Sequence, residues 1–258
     1  MAKIVVLGGS FGGLTAALEL KRLLGKKADI TVVSEDDRFV FLPSLPWLIM
    51  GWRKPEDITL KVSDILKPKN IDFIHEPAKQ IDPDASKVTT SSKQLAYDYL
   101  VISTGPHLAF DEIPGLGPDK GYTACTFTLD HAVKTGATWR SVLENPGPIV
   151  LGSSQMVSCF GPSYELAFEM DAELRRRKMR HKVPIIYLTS EPYLGHMGVG
   201  GLGNSKTFME HEFADRDIKP LVGQAIQEVA PGEIRLKDGN KIPFKLAMIA
   251  PPFKGVPA

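Results

Sequence analysis

The sequence predicts an α/β fold built from two similar units, and three observations carry that prediction. The first is the opening stretch, MAKIVVLGGSFGG. An apolar run, Ile4-Val5-Val6-Leu7, meets Gly8-Gly9-Ser10-Phe11-Gly12-Gly13, and the amphipathic stretch LTAALELKRLLG follows. The second is a further apolar run, Ile30 to Val33, ending at Ser34-Glu35. The third is the return of the same strand–turn–helix–strand plan in the second half, from Pro148-Ile149-Val150-Leu151-Gly152 onward. Strands that alternate with helices in this way form parallel sheets with helices packed on them, here two Rossmann-like units.

The first turn carries chemistry. A glycine turn between a strand and a helix lets backbone N–H groups approach a pyrophosphate at the helix N-terminus. The pattern G-x-G-x-x-G would put glycines at 8, 10 and 13. Gly8 and Gly13 are present, and Ser10 takes the middle place. A serine Cβ loosens the closest phosphate approach, while its hydroxyl adds a donor. Glu35, 22 residues after Gly13, closes the second strand, where an acid can hold ribose hydroxyls. Together these predict a dinucleotide site.

The helix after the turn presents Leu14, Ala17, Leu18 and Leu24 on one face, with Gly25 as its C-cap. The aromatic stretch Phe39 to Trp47 contains Pro43 and Pro46, which are expected to break regular structure. Ile71 to Ile74 reads as a strand, and the alternations around 79–81 and 87–89 read as a meander. Tyr97 to Ile102 reads as a buried strand running into Ser103-Thr104-Gly105-Pro106. Residues 107–127 form a connection. Helices are expected over 128–143, with Thr128 as N-cap, from Pro162 to about 179, and over 205–215. Strands are expected over 183–188 and near 225–229, 233–236 and 245–249. The tail after Ala250 suggests no closing helix and no last strand. The expected division is 1–110 as the first nucleotide unit, 111–147 as a connecting segment and helix, and 148–258 as the second unit.

Composition narrows the function. The 258 residues are 43% apolar and 24% charged with a net charge of +1, so no basic field invites nucleic acid. No apolar run reaches the roughly 18 residues of a membrane span, and no signal peptide is visible. Two cysteines make no disulfide framework, and no metal site is expected.

Five stretches together resemble the sulfide:quinone oxidoreductases, flavoproteins with two dinucleotide-binding domains. They are LGGSFGG, FVFLPSLPWLIMGWR at 39–53, YDYLVISTGP at 97–106, VSCFGPSYE at 157–165 and TSEPYLGHMGVGGLG at 189–203. The resemblance implies FAD in the first unit. Gly8, Gly9, Ser10, Gly12 and Gly13 would surround its pyrophosphate, and Glu35 would hold the adenosine ribose. Ala78 would lie near the adenine, with Pro43, Thr104 and Gly105 toward the flavin. It also implies oxidation of sulfide to polysulfur at cysteines, with two electrons passed through FAD to a membrane quinone. The protein would then be peripheral to the cell membrane, with room for a homo-oligomer. Family members carry a further C-terminal part, with a third cysteine, quinone-pocket residues and membrane-contacting helices. That part has no counterpart in this sequence, so a fragment or a reduced variant is expected, and residues 1–258 alone should turn over sulfide poorly.

In the second half, the turn reads Gly152-Ser153-Ser154-Gln155-Met156-Val157, with Ser and Val where glycines are expected at 154 and 157. Val157 would crowd helix against strand, which argues against a nicotinamide cofactor, although Glu191 stands where a ribose-binding acid could lie. Cys159 precedes Pro162 at the expected start of a helix, whose positive end can lower a thiol pKa. By resemblance it matches the second redox cysteine, and Glu165 would move protons near it. Cys125 stands two residues upstream of the position the family's first cysteine would occupy, with Phe127 there instead. By resemblance that cysteine can attach FAD covalently. His131 and His196 match family histidines proposed to handle protons. Two other readings stay open: an NADH:quinone oxidoreductase-type flavoenzyme, and a non-catalytic FAD-binding fragment.

Overall fold

The computed structural model describes residues 1–256. The chain divides into two compact units. Unit 1 comprises Met1–Phe41, Glu56–His107 and the chain from Gly255 on; unit 2 comprises Leu42–Pro55 and Leu108–Lys254.

Unit 1 is a parallel sheet of β1 (Ala2–Leu7), β2 (Ala28–Ser34), β3 (Asp72–His75) and β4 (Tyr99–Ile102), in the order β3-β2-β1-β4. The apolar run of β1 is continuous because both of its faces are covered. Ile4 and Val6 pack with Leu14 and Ala17 of helix α1 (Phe11–Leu24). Val5 and Leu7 pack with Val33, Ile74 and Val88 on the other face. Val88 belongs to the predicted meander, the antiparallel strands Gln80–Asp82, Lys87–Thr89 and Gln94–Ala96. Gly25 caps α1 at φ 55°. The strand β4 departs from expectation: Tyr99 is 64% exposed and Ile102 58%. It is the edge of its sheet, with β1 on one side only, so its apolar side chains lack the cover that β1 has.

Unit 2 repeats this plan. Its parallel strands β5 (Ile149–Ser153), β6 (Ile185–Leu188), β7 (Ile218–Leu221) and β8 (Leu246–Ala250) follow the order β7-β6-β5-β8. A three-stranded antiparallel sheet, Ile226–Ala230, Glu233–Leu236 and Lys241–Pro243, again comes between the third and fourth parallel strands. Val150, Leu188 and Ile249 pack against its Ile226, Val229 and Ile234. The helices are α2 (Leu129–Glu144), α3 (Gly161–Arg176) and α4 (Ser205–Asp215). Thr128 caps α2 by accepting the His131 N–H at 3.2 Å, as its position predicts.

Two further departures follow from local chemistry. The segment with two prolines is a short helix, Leu45–Ile49, because Pro46 falls in its first turn, where no N–H is required of it. This helix buries Leu45, Leu48 and Ile49. It lies against α2, where a Cβ on Gly136 would stand 3.1 Å from Ile49 O. In the tail, Phe253–Gly255 is a short strand, and Pro252 O accepts the Ala109 N–H at 2.9 Å.

Candidate functional site

In unit 1 the glycine turn is built by contacts that exclude side chains. Gly8 has φ 111°, and a Cβ there would stand 2.1 Å from Ser103 O. A Cβ on Gly13 would stand 1.9 Å from Gly8 O. These close approaches bring the first turn of α1 against the ends of β1 and β4. Gly8 N–H donates to Val33 O at 2.8 Å, and Ser103 N–H donates to Leu7 O at 2.8 Å, so three strand ends are tied together. Ser10 is the N-cap of α1, yet its hydroxyl makes no capping bond. The first N–H groups of a helix have no partner within it, and here no side chain satisfies them.

Beside this turn lies a cavity of about 460 Å³ lined by Leu7, Gly8, Glu35, Ala78, Thr104 and Val256, among others. It gathers Gly8, Glu35, Ala78 and Thr104 from the sequence reading. Glu35 is exposed at its rim, and His75 Nε2 donates to its carbonyl at 3.0 Å. That contact spans 40 residues and has no local sequence signal. Gly9 and Gly12 lie in the same turn, and Gly105 follows Thr104 at φ 72°. Pro43 belongs to unit 2, in the exposed turn before the Leu45–Ile49 helix. The donor set suits a dinucleotide: bare N–H groups for a pyrophosphate, a carboxylate for a ribose, and a cavity walled by Pro77, Ala78 and Val256 for a planar base.

The second glycine turn is different. Helix α1 starts three positions after Gly8, whereas α3 starts nine positions after Gly152. Val157 therefore lies in a loop before the helix and cannot crowd helix against strand, which corrects the expectation. Side chains fill this turn. Ser154 Oγ donates to Ala250 O at 3.0 Å. The Gln155 amide donates to Ile226 O at 3.0 Å and accepts its N–H at 3.1 Å. Glu191, a candidate ribose ligand, is 2% exposed. Its Oε2 accepts from Tyr164 and Thr189 hydroxyls, both at 2.8 Å, and Oε1 accepts the Met197 N–H at 2.6 Å. A carboxylate so occupied has no face left for a ribose.

The lengthened loop carries Cys159, which is exposed. Its thiol pKa lies above the ordinary value. Desolvation of the sulfur outweighs the Gly161 N–H directed at it, although the residue as a whole is exposed. The expected lowering by the helix end does not occur, because the single N–H of Gly161 is what α3 contributes at Sγ. Cys125 is fully buried. Its Sγ accepts the Phe127 N–H at 3.4 Å, and Thr135 bonds its carbonyl and its N–H. Burial pushes its thiol up to about 12, and the Asp119 carboxylate adds to the rise.

The same Asp119 accepts from His131 Nε2 at 3.1 Å, while His131 Nδ1 is enclosed without a partner. His196 Nδ1 accepts the Gly198 N–H at 3.2 Å, which leaves its proton on Nε2. Glu165 lies on α3, half-buried, with burial raising its pKa and the Trp47 indole N–H opposing that rise. Trp47 and Glu169 are partners of Glu165 that the sequence reading missed. Among the described residues no three His, Cys, Asp or Glu side chains converge as a metal would require. Among them, too, no helix is long and apolar enough to cross a membrane.

Comparison with known proteins places this geometry. The family model described as pyridine nucleotide-disulphide oxidoreductase matches residues 2–251. The chain is 44% identical over 261 residues to the sulfide-quinone reductase of Aquifex aeolicus, covering 99% of this chain and 60% of that protein. A mouse mitochondrial sulfide:quinone oxidoreductase is 25% identical over 264 residues, covering 97% of this chain and 56% of that protein. The crystal structure of the Aquifex aeolicus sulfide:quinone oxidoreductase matches with a TM-score of 0.94 at 42% identity, covering 99% of this chain and 60% of that one. The chain thus spans 60% or less of the length of these relatives.

Proposed function

Because the chain belongs to the pyridine nucleotide-disulphide oxidoreductase family, we propose that it carries the flavin- and thiol-bearing part of a sulfide:quinone oxidoreductase. The observation that supports this most is the pairing of an open first turn with a second turn that is filled by side chains and bears an exposed cysteine. Unit 1 would hold FAD: Gly8, Gly9, Ser10, Gly12 and Gly13 at the pyrophosphate, Glu35 at the ribose, Ala78 at the adenine, and Thr104 and Gly105 toward the flavin. When bound, FAD supplies a two-electron carrier between a sulfur donor and a quinone.

The residues of unit 2 do the rest. Cys159 offers the exposed sulfur to which sulfide sulfur would bond with loss of two electrons, for which FAD, when bound, would be the acceptor, and of the thiol proton. Its raised pKa means that a base must take its proton, since only the thiolate is nucleophilic. Glu165, about one turn along α3, is that base. His131, with Nε2 on Asp119, and His196, with a free Nε2–H, are further proton carriers. Cys125 supplies a second sulfur that must first become accessible. The electron acceptor is a membrane quinone, and the protein works as a peripheral protein of the cell membrane.

The test is quinone reduction by the complete, FAD-loaded protein, with sulfide and with NADH as donors. Reduction with sulfide and none with NADH is expected. NADH-driven reduction at a matching rate would select the NADH:quinone reading, and a flavin that no donor bleaches would select a non-catalytic module.

A further inference from the structure

Helix α3 carries Glu165 and Glu169 four residues apart, hence on one face. Glu169 Oε2 is fully enclosed and has no hydrogen-bond partner. Trp47, on the short helix packed against α3, lies near enough to both carboxyls for its indole N–H to favour their ionised forms. Among the described residues neither carboxyl forms an ion pair with a cation that would balance a second charge. Arg53 lies 5.3 Å from the Trp47 ring centroid, over its face. Farther along α3, Arg175 is held by Asp171, and Arg176 and Arg177 by Glu173. Arg180, beyond the helix, is held by Asp171 as well. From β6, the buried Tyr187 hydroxyl interacts with Tyr164 and Glu191.

We propose that Glu165 and Glu169 share a single proton at neutral pH, with Glu169 as its enclosed holder and Trp47 favouring the ionised partner, and that this pair is the proton store for the Cys159 thiol. The role as a store rests on the sulfide:quinone reading; the shared proton does not. Like charges this close cannot both ionise freely. Burial and the Glu165 charge push the Glu169 carboxyl up to about 8, while Trp47 opposes the rise. The step is a proton transfer and balances by itself. Ionised Glu165 takes the proton of the thiol or of sulfide, and the pair becomes doubly protonated. It returns to one proton by releasing the proton it gained, which can serve as one of the two that a quinone takes up with two electrons.

Infrared pH titration of the complete, FAD-loaded protein reads the pair directly, through the C=O stretch of a protonated carboxyl. The expected band persists at neutral pH and disappears near pH 8. Three variants move it with distinct signs. Glu169→Gln abolishes it, Glu165→Gln lowers its midpoint by removing the like charge, and Trp47→Phe raises it by removing the donor. A band absent from wild type at neutral pH, or a midpoint indifferent to Glu165→Gln, overturns the shared proton. The alkaline limb of sulfide-dependent quinone reduction should follow the same midpoint and vanish in Glu169→Gln. An unchanged limb overturns the store. Absence of any sulfide-dependent reduction, with the infrared titration intact, overturns the sulfide:quinone reading instead.

Discussion

Two turns of the same origin in the fold, 8–13 and 152–160, do opposite things. Both follow the first strand of a sheet with the same strand order. At 8–13 the chain enters its helix within three residues, and bare backbone fills the space: Gly8 against Ser103, Gly13 against Gly8. At 152–160 the entry is delayed. Gln155 is locked to Ile226 by two hydrogen bonds, and Glu191 is closed off by Tyr164, Thr189 and Met197. The residues gained by the delay carry Cys159. A turn made for a pyrophosphate must stay empty of side chains; a turn filled by its own side chains is free to present a reactive one.

The strongest way to break this comparison is to remove the sulfur. Cys159→Ala in the complete protein should lower sulfide-dependent quinone reduction by about 100-fold or more, as expected for loss of a nucleophile, with flavin content unchanged. Normal turnover would show that the delayed turn presents nothing of consequence.

Next comes Gly13→Val. Any Cβ at 13 would meet Gly8 O at 1.9 Å, so the helix must leave the strand. Flavin absorbance per protein should fall by roughly tenfold, given an overpacking cost of about 1–3 kcal/mol or more. Stoichiometric flavin in this variant would refute the role of the empty turn.

The filled turn should respond differently. Glu191→Ala leaves the Tyr164 and Thr189 hydroxyls and the Met197 N–H without their acceptor. It should cost about 3 kcal/mol in denaturant unfolding, and Gln155→Ala about 1–2 kcal/mol. Neither should gain NADH bleaching in stopped flow. Rapid bleaching after Gln155→Ala would mean that this side chain alone had kept a nicotinamide out.

The smallest effect is a pH dependence. The Glu169 pKa rises from 4.5 unfolded to about 8 folded, so the folded state binds the extra proton between these values. Stability is full below pH 4.5 and declines as pH rises to about 8. Because the carboxyl is partly screened by water, Glu169→Gln should flatten that decline by only about 3 °C in Tm between pH 5 and 8. A decline as steep as in wild type would deny the carboxyl its raised pKa.

What the sequence made legible follows from range. The turn at 8–13, the Thr128 cap, the meander strands around 79–81 and 87–89 and the helix over 205–215 depend on neighbours a few residues away, and each is where its residues predict. Edge position does not: Tyr99 and Ile102 have the apolar character of a buried strand, yet nothing local tells that β4 has one neighbour. Pro46 reads as a breaker until the helix start is known. The clamps on Glu191 and Gln155, the His75 bond to Glu35, and the approach of Trp47 to Glu165 and Glu169 join residues far apart in the chain. Side-chain chemistry alone does not announce them. Cys159 was legible as a residue and misleading as an acid, since the dehydration of its sulfur depends on the loop around it.

The threading of unit 1 has a consequence for synthesis. Val256 lines the cavity beside Glu35 and Ala78, yet it returns to unit 1 only after the excursion through Leu108–Lys254. During vectorial translation the glycine turn and Glu35 emerge early, while this wall of the cavity emerges after all of unit 2. A nascent chain therefore displays this cavity with one side open until the second unit has left the ribosome.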